Sequence, residues 1–273
     1  MFSSEFVSPV FSIEADGAGK SAIANPVTGQ VWLAYSVGAS RISIRRVAHS
    51  GPNDPRIDVR GADGVQRFDV RLAVNPVNGN VLAVWQESAL RAHGTPATVL
   101  SGQIWDKSGS ALTAASRYTD AETQAAAAFD VAATKDVFVI VENNAERAAP
   151  YTLHNFALAV DPLGAVVADW TPLDNMTVNG SVVPPNRVSV STNTQRETVG
   201  LTWDAQVPAN NIYFQEITAT PGVQLTVSKN GNGGGVVSSA PGKIVCGSVC
   251  TDFFDPATVA VAAAADDVVR ADV

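Results

Sequence analysis

The stretch Ala22-Ile23-Ala24-Asn25-Pro26-Val27-Thr28-Gly29-Gln30-Val31-Trp32-Leu33-Ala34-Tyr35 returns fifty residues later as Leu72-Ala73-Val74-Asn75-Pro76-Val77-Asn78-Gly79-Asn80-Val81-Leu82-Ala83-Val84-Trp85. Both read as an apolar run, then Asn-Pro-Val-x-Gly, then a second apolar run ending in an aromatic. The physical reading is a β-hairpin. Proline fixes φ for the first turn position, and the later glycine supplies the conformation that L residues avoid. β-branched and aromatic residues on both sides favour strands.

Two weaker copies follow. Phe129–Ala132, Thr134-Lys135-Asp136 and Val137–Val141 form the third, with Val141 at the aromatic position. Val188–Val190, Thr192–Glu197 and Thr198–Trp203 form the fourth, where the aromatic returns as Trp203. Beyond each hairpin lies a strand-like stretch ending in a turn glycine: Ile42–Gly51, Ile104–Gly109, Phe156–Gly164 and Ile212–Gly222. The glycines are 58, 55 and 58 residues apart. A fourth apolar stretch follows each glycine: Arg56–Val59, Ala111–Ala115, Ala165–Trp170 and Val223–Val227.

Four strands per unit, repeated about every 57 residues, predict an all-β chain with four β-propeller-like blades. A pair of β-sandwiches, also built from short strands and regular turns, is the alternative. Non-alternating runs such as Val137–Val141 suit strands covered on both faces. Helical signal is nearly absent; Ala121–Ala128 is alanine-rich but short and runs into a strand.

The chain has 273 residues, 46% hydrophobic content and a formal net charge of −8. That acidity argues against nucleic acid as a partner, which needs a basic face. No stretch reaches the ~18 apolar residues of a membrane helix, so membrane insertion is not expected. Met1–Glu5 lacks the basic start and apolar core of a secretory signal.

Composition breaks after residue 228. The expected organisation is a blade domain over residues 1–228, a Gly-rich linker over 229–235 and a small β module over 236–273. Cys246 and Cys250, the chain's two cysteines, lie in that module. A disulfide, a redox pair and a zinc site are the possible readings. A disulfide is preferred, because Gly247-Ser248 lets the chain bend enough to join them. A redox pair would sit beside a helix, and zinc needs four ligands, whereas His49, His93 and His154 are far away in sequence. A disulfide implies an oxidising compartment and hence a secreted or surface protein.

The run Gly235-Val236-Val237-Ser238-Ser239, Pro241, Ile244, Cys246-Gly247-Ser248, Cys250, Phe254 and Thr258-Val259 resembles the Cys-containing divergent bacterial repeat, related to internalin-type B repeats. The resemblance covers about residues 232–262 and implies an extracellular appendage without catalysis. The blades in turn resemble repeats of large secreted bacterial propeller proteins, through Asn75-Pro76, Trp85 and Gly102-Gln103-Ile104-Trp105-Asp106-Lys107-Ser108-Gly109. That resemblance implies the fold.

Linear hydrolase signatures are missing: no Gly-x-Ser-x-Gly, no His-Glu-x-x-His, no P-loop and no Asp-box. The expected function is therefore non-catalytic recognition of a glycan or a cell-surface protein, and the chain is expected not to be an enzyme. Self-assembly through terminal strands, Phe6–Ile13 or Thr258–Ala262, into a homo-oligomer or filament is one alternative. A glycoside hydrolase is the other. Candidate ligand-binding residues are Trp105 and Trp170, placed near strand ends where a ring could stack on a sugar. The carboxylates Glu87, Asp106, Glu142 and Asp204 join them, just after strand-ending positions. No cofactor is expected; calcium is the one ion that acidic loops of this kind would suit.

Overall fold

The computed structural model describes residues 17–38, 40–47, 56–60, 64–121, 126–145, 153–173, 177–178, 181–182, 187–205, 211–218, 223–230, 237–239, 245–246, 249–254, 261–262 and 268–272. Among them the regular elements are strands, and no helix long and apolar enough to cross a membrane is present. Four antiparallel sheets form a four-bladed β-propeller. Blade 1 comprises β1 (Gly17–Ala24), β2 (Val31–Val37), β3 (Arg41–Val47) and β4 (Ile57–Arg60). Blade 2 comprises β5 (Arg67–Val74), β6 (Val81–Leu90), β7 (Pro96–Trp105) and β8 (Ser116–Arg117). Blade 3 comprises β9 (Ala126–Ala133), β10 (Phe138–Ala145), β11 (Leu153–Val160) and β12 (Val166–Pro172). A two-stranded ribbon, β13 (Thr177–Val178) with β14 (Ser181–Val182), leads to blade 4. That blade holds β15 (Arg187–Asn193), β16 (Thr198–Ala205) and β17 (Asn211–Thr218).

Sheet order equals sequence order within each blade. The first strands stand side by side, β1 against β5, β5 against β9 and β9 against β15. That succession is a propeller and not a pair of sandwiches, in which sheets would pair face to face in twos.

Three apolar cores lie at the three internal blade joints. Trp32, Ile42 and Ile44 of blade 1 meet Val70, Trp85 and Trp105 of blade 2. Leu82, Leu100 and Ile104 of blade 2 meet Phe129, Phe138 and Ile140 of blade 3. Val137, Val139 and Val141 of blade 3 meet Val199, Leu201 and Trp203 of blade 4. Alternate residues of one strand therefore feed two cores, which is why β6 and β10 read as unbroken apolar runs. Each such large side chain contributes roughly 2–3 kcal/mol by leaving water.

The Asn-Pro turns do two jobs. Asn25 Oδ1 accepts from Val27 N and Thr28 N, and Asn75 Oδ1 accepts from Val77 N and Asn78 N, closing each hairpin. Gly29 and Gly79 take φ values of +71° and +76° there. The amide nitrogens then reach into the next blade: Asn25 Nδ2 donates to Gly79 O at 2.8 Å, and Asn75 Nδ2 donates to Thr134 O and Lys135 O at 3.2 and 2.8 Å. Both asparagines are fully buried.

Two strand expectations change. Ala111–Ala115 makes only a single bridge, Ala111 to Trp105, and the fourth strand of blade 2 is β8 instead. The stretch Val223–Val227 does form a strand, β18 (Val223–Asn230), but it pairs with β21 (Val249–Phe254) and β23 (Val268–Asp272). β19 (Val237–Ser239) joins β20 (Val245–Cys246) and β22 (Val261–Ala262) in a further sheet. Cys246 and Cys250 fall on β20 and β21; their side chains, and the Phe6–Ile13 stretch, lie outside the described residues.

Candidate active site

Hairpin register defines equivalent positions in the four blades. Counting five residues back from Asn25, Asn75, Thr134 and Asn193 gives Lys20, Val70, Phe129 and Val188. These pair with Tyr35, Trp85, Glu142 and Trp203. Glu142, not Val141, thus occupies the aromatic position of blade 3. It faces blade 2 and is fully buried beside Phe129 and Phe156.

The carboxylates singled out from sequence do not converge. Glu87 lies on the face of β6 that turns to blade 1, 6% exposed. Arg67 reaches its Oε2 at 3.2 Å and Arg117 its Oε1 at 3.0 Å. Arg67 Nη1 also donates to Ser40 O of blade 1, so the group is a buried clamp between blades. Asp106 closes an outer turn: its Oδ1 accepts from Ser108 N, Ser108 Oγ and Ser110 N. The Ser108 hydroxyl is the main cause that lowers its pKa. Asp161 does the same with Leu163 N and Ala165 N, which identifies a repeated turn device. Asp204 lies on the far face of blade 4 and accepts from Arg187 N at 2.8 Å.

Both tryptophan expectations are corrected. Trp105 is 2% exposed because β7 pairs it with Val81, inside the joint between blades 1 and 2. Trp170 packs on the joint between blades 2 and 3, and its Nε1 donates to Tyr118 O at 2.7 Å. The Trp105 indole offers no open stacking face, and the Trp170 indole is half-buried.

The chemistry gathers instead on the inner strands. Four residues back from the turn residue stand Ser21, Arg71, Asp130 and Ser189. Ser21 Oγ accepts from Leu72 N of the next blade at 3.2 Å, and Asp130 Oδ2 accepts from Val190 N at 2.8 Å. These bonds satisfy the unpaired edge of an inner strand, as buried amides require. Blade 2 breaks the pattern with Arg71. Its Nη1 meets Asp69 Oδ1 at 2.6 Å, its Nε stands 3.9 Å from Asp130 Oδ1, and its guanidinium lies over the Phe129 ring at 5.6 Å. Asp69 has φ +49°, at a β-bulge between Phe68 and Val70. A non-glycine residue held at positive φ stores strain, which the surrounding pairing sustains.

One guanidinium therefore faces two carboxyl groups of unequal surroundings. Asp69 is 41% exposed and Asp130 is 20% exposed at the side chain. Burial pushes the Asp130 pKa up, against hydrogen bonds from Val190 and Val131 and the charge of Arg71 that pull it down. A carboxyl with a raised pKa beside a more exposed one is the division of labour that acid–base chemistry needs. Sequence reading missed this group because Asp69, Arg71 and Asp130 carry no linear motif. The one usable signal was polar residues at register positions where other inner strands carry serine. Among the described residues no cluster of three His, Cys, Asp or Glu side chains forms a metal site.

Neither a protein-family model nor a curated protein matches the sequence. Solved structures match the fold. An endo-arabinase from Bacteroides thetaiotaomicron is similar at 12% identity and TM-score 0.48, over 78% of this chain and 80% of that one. An N-acetylgalactosamine deacetylase from F. plautii, in complex with blood group B trisaccharide, is similar at 9% identity and TM-score 0.48, over 77% and 70%. A thermostable family-43 glycoside hydrolase is similar at 10% identity and TM-score 0.44, over 76% and 73%. At this level the likeness concerns the propeller fold. It nevertheless corrects the expectation of a non-enzyme. That expectation rested on absent linear motifs, and glycan-cleaving enzymes are among the proteins with this architecture, so the absence gives no ground to exclude catalysis.

Proposed function

We propose that the chain is a glycoside hydrolase whose reacting groups are Asp130 and Asp69, with Arg71 between them. The observation that carries this reading is the pairing of a carboxyl with a raised pKa and a more exposed carboxyl across one guanidinium on the inner strands. Glycosidic cleavage asks for such a pair: one group delivers a proton to the leaving oxygen, and the other acts on the opposite side of the sugar ring as base or nucleophile. Asp130 takes the first role, since burial keeps it protonated to higher pH, and Asp69 the second. Arg71 holds Asp69 in place by direct ion pairing at 2.6 Å. Its position over Phe129 fixes the guanidinium without a further acid.

The substrate class is a neutral glycan, and the reading is an extracellular one, where such polymers are met. The test is hydrolysis of a panel of arabinan, xylan, galactan and aryl glycosides by the full chain. Asp130→Asn should lower kcat by about 10²–10⁴-fold, the size of a general-acid contribution. Asp69→Asn should also fall sharply, and the acid limb of the pH profile should move in both variants. An active chain whose rate survives both substitutions would refute the assignment.

A further inference from the structure

We propose that blade 4 and blade 1 are the two halves of one blade joint, closed between copies of this chain: the far face of blade 4 in one copy receives the near face of blade 1 of another. The internal joints define what such a contact needs. On the receiving side, Val70, Leu72 and Val74 of β5 are all under 9% exposed beneath blade 1, and Val81, Phe138 and Val199 are fully buried. The blade 1 equivalents are open: Lys20, Ala22 and Ala24 are exposed, and Val31 is 37% exposed. The Gly29 turn is exposed too, whereas the equivalent Gly79 is buried under Asn25.

Blade 4 carries the complementary half. Ile212 and Phe214 are 83% and 66% exposed on the face opposite its joint with blade 3. Register puts Ser189, Ser191 and Asn193 on that same face. Two hydrogen bonds recur at internal joints. A side chain four residues before the turn accepts from the N–H of the next inner strand, as Ser21 does from Leu72. The turn asparagine donates its amide to the next turn, as Asn25 and Asn75 do. Blade 4 repeats both groups as Ser189 and Asn193. Asn193 Oδ1 already caps its own turn through Gln195 N and Arg196 N, as Asn25 and Asn75 cap theirs, so its amide nitrogen is the group left to donate across a joint. The counterparts, Ala22 N–H and the Gly29 turn carbonyl, are on blade 1. A surface that matches a different surface of its own chain makes a head-to-tail contact, which closes into a ring or grows as a filament.

The mass of the full chain in solution, by sedimentation across a concentration series, tests the joint. Self-association should appear, and Phe214→Asp or Ala24→Arg should each give monomers with unchanged circular dichroism. Mixing the two variants should restore a one-to-one dimer, because each keeps the half that the other lacks. Asn193→Ala, which leaves the apolar face intact, should weaken association about fivefold, the worth of one hydrogen bond. Monomers at every concentration, no dimer on mixing, or a Ser191→Cys/Ala22→Cys disulfide formed within one chain would each overturn the proposal.

Discussion

In blade 2 the second strand is buried without a break from Val81 to Glu87, whereas in blade 4 the second strand alternates buried and half-buried from Val199 to Asp204. The two blades share the same hairpin register. The difference is their neighbours: among the described residues blade 2 is covered on both sides, and blade 4 by blade 3 alone. Burial in a propeller is thus a property of the joint and not of the blade. Equivalent residues should therefore differ in energetic weight according to the joint they face.

Truncation should show the largest contrast. Trp85→Ala empties the joint between blades 1 and 2 and should cost about 3–5 kcal/mol in chemical denaturation. Phe214→Ala should change the stability of the monomer by no more than about 0.5 kcal/mol. Equal losses would mean that blade 4 is covered on both faces. Charge follows the same rule. Glu87→Gln leaves Arg67, 8% exposed, without its counter-charge and should cost about 3 kcal/mol. Glu216→Gln breaks an open pair with Arg196 and should cost about 0–1 kcal/mol.

The turn residues sharpen the comparison. Asn75→Ala removes both the turn cap and the donor to blade 3 and should cost about 1–3 kcal/mol. Asn193→Ala removes the cap alone and should cost about 1 kcal/mol or less. A further contrast concerns pH. Burial raises the Tyr118 pKa to about 12 from 10.0. The folded state keeps the phenol neutral while the unfolded chain ionises, so stability should be lost as pH rises from about 10 to about 12. Tyr118→Phe should flatten that loss in alkaline denaturation curves. An unchanged slope would place the phenol in water.

Sequence reading recovered the blades because hairpin formation is local. Asn25-Pro26 and Asn75-Pro76 close turns by contacts within three residues, and Gly109 and Gly164 take φ values of +91° and +98° at outer turns. It misplaced Trp105 and Trp170, since proximity to a strand end does not say which face an indole takes. It also placed Val141 where register puts Glu142, because the third turn is two residues shorter than the Asn-Pro turns and gives no motif to count from. Asp106 looked like a ligand and is a turn cap, a role shared with Asp161 that appears only when hydrogen bonds are traced.

What the sequence determined by itself is the repeat: four hairpin-led blades, coded by turn chemistry and apolar runs that act over a few residues. The tertiary structure alone decided which acids meet. Asp69, Arg71 and Asp130 belong to two blades, and their meeting depends on a bulge at Asp69 and on inner strands lying side by side. Glu87, by contrast, was drawn into a joint by Arg67. Proton affinity follows surroundings and partners that are distant in sequence, and no local pattern encodes them.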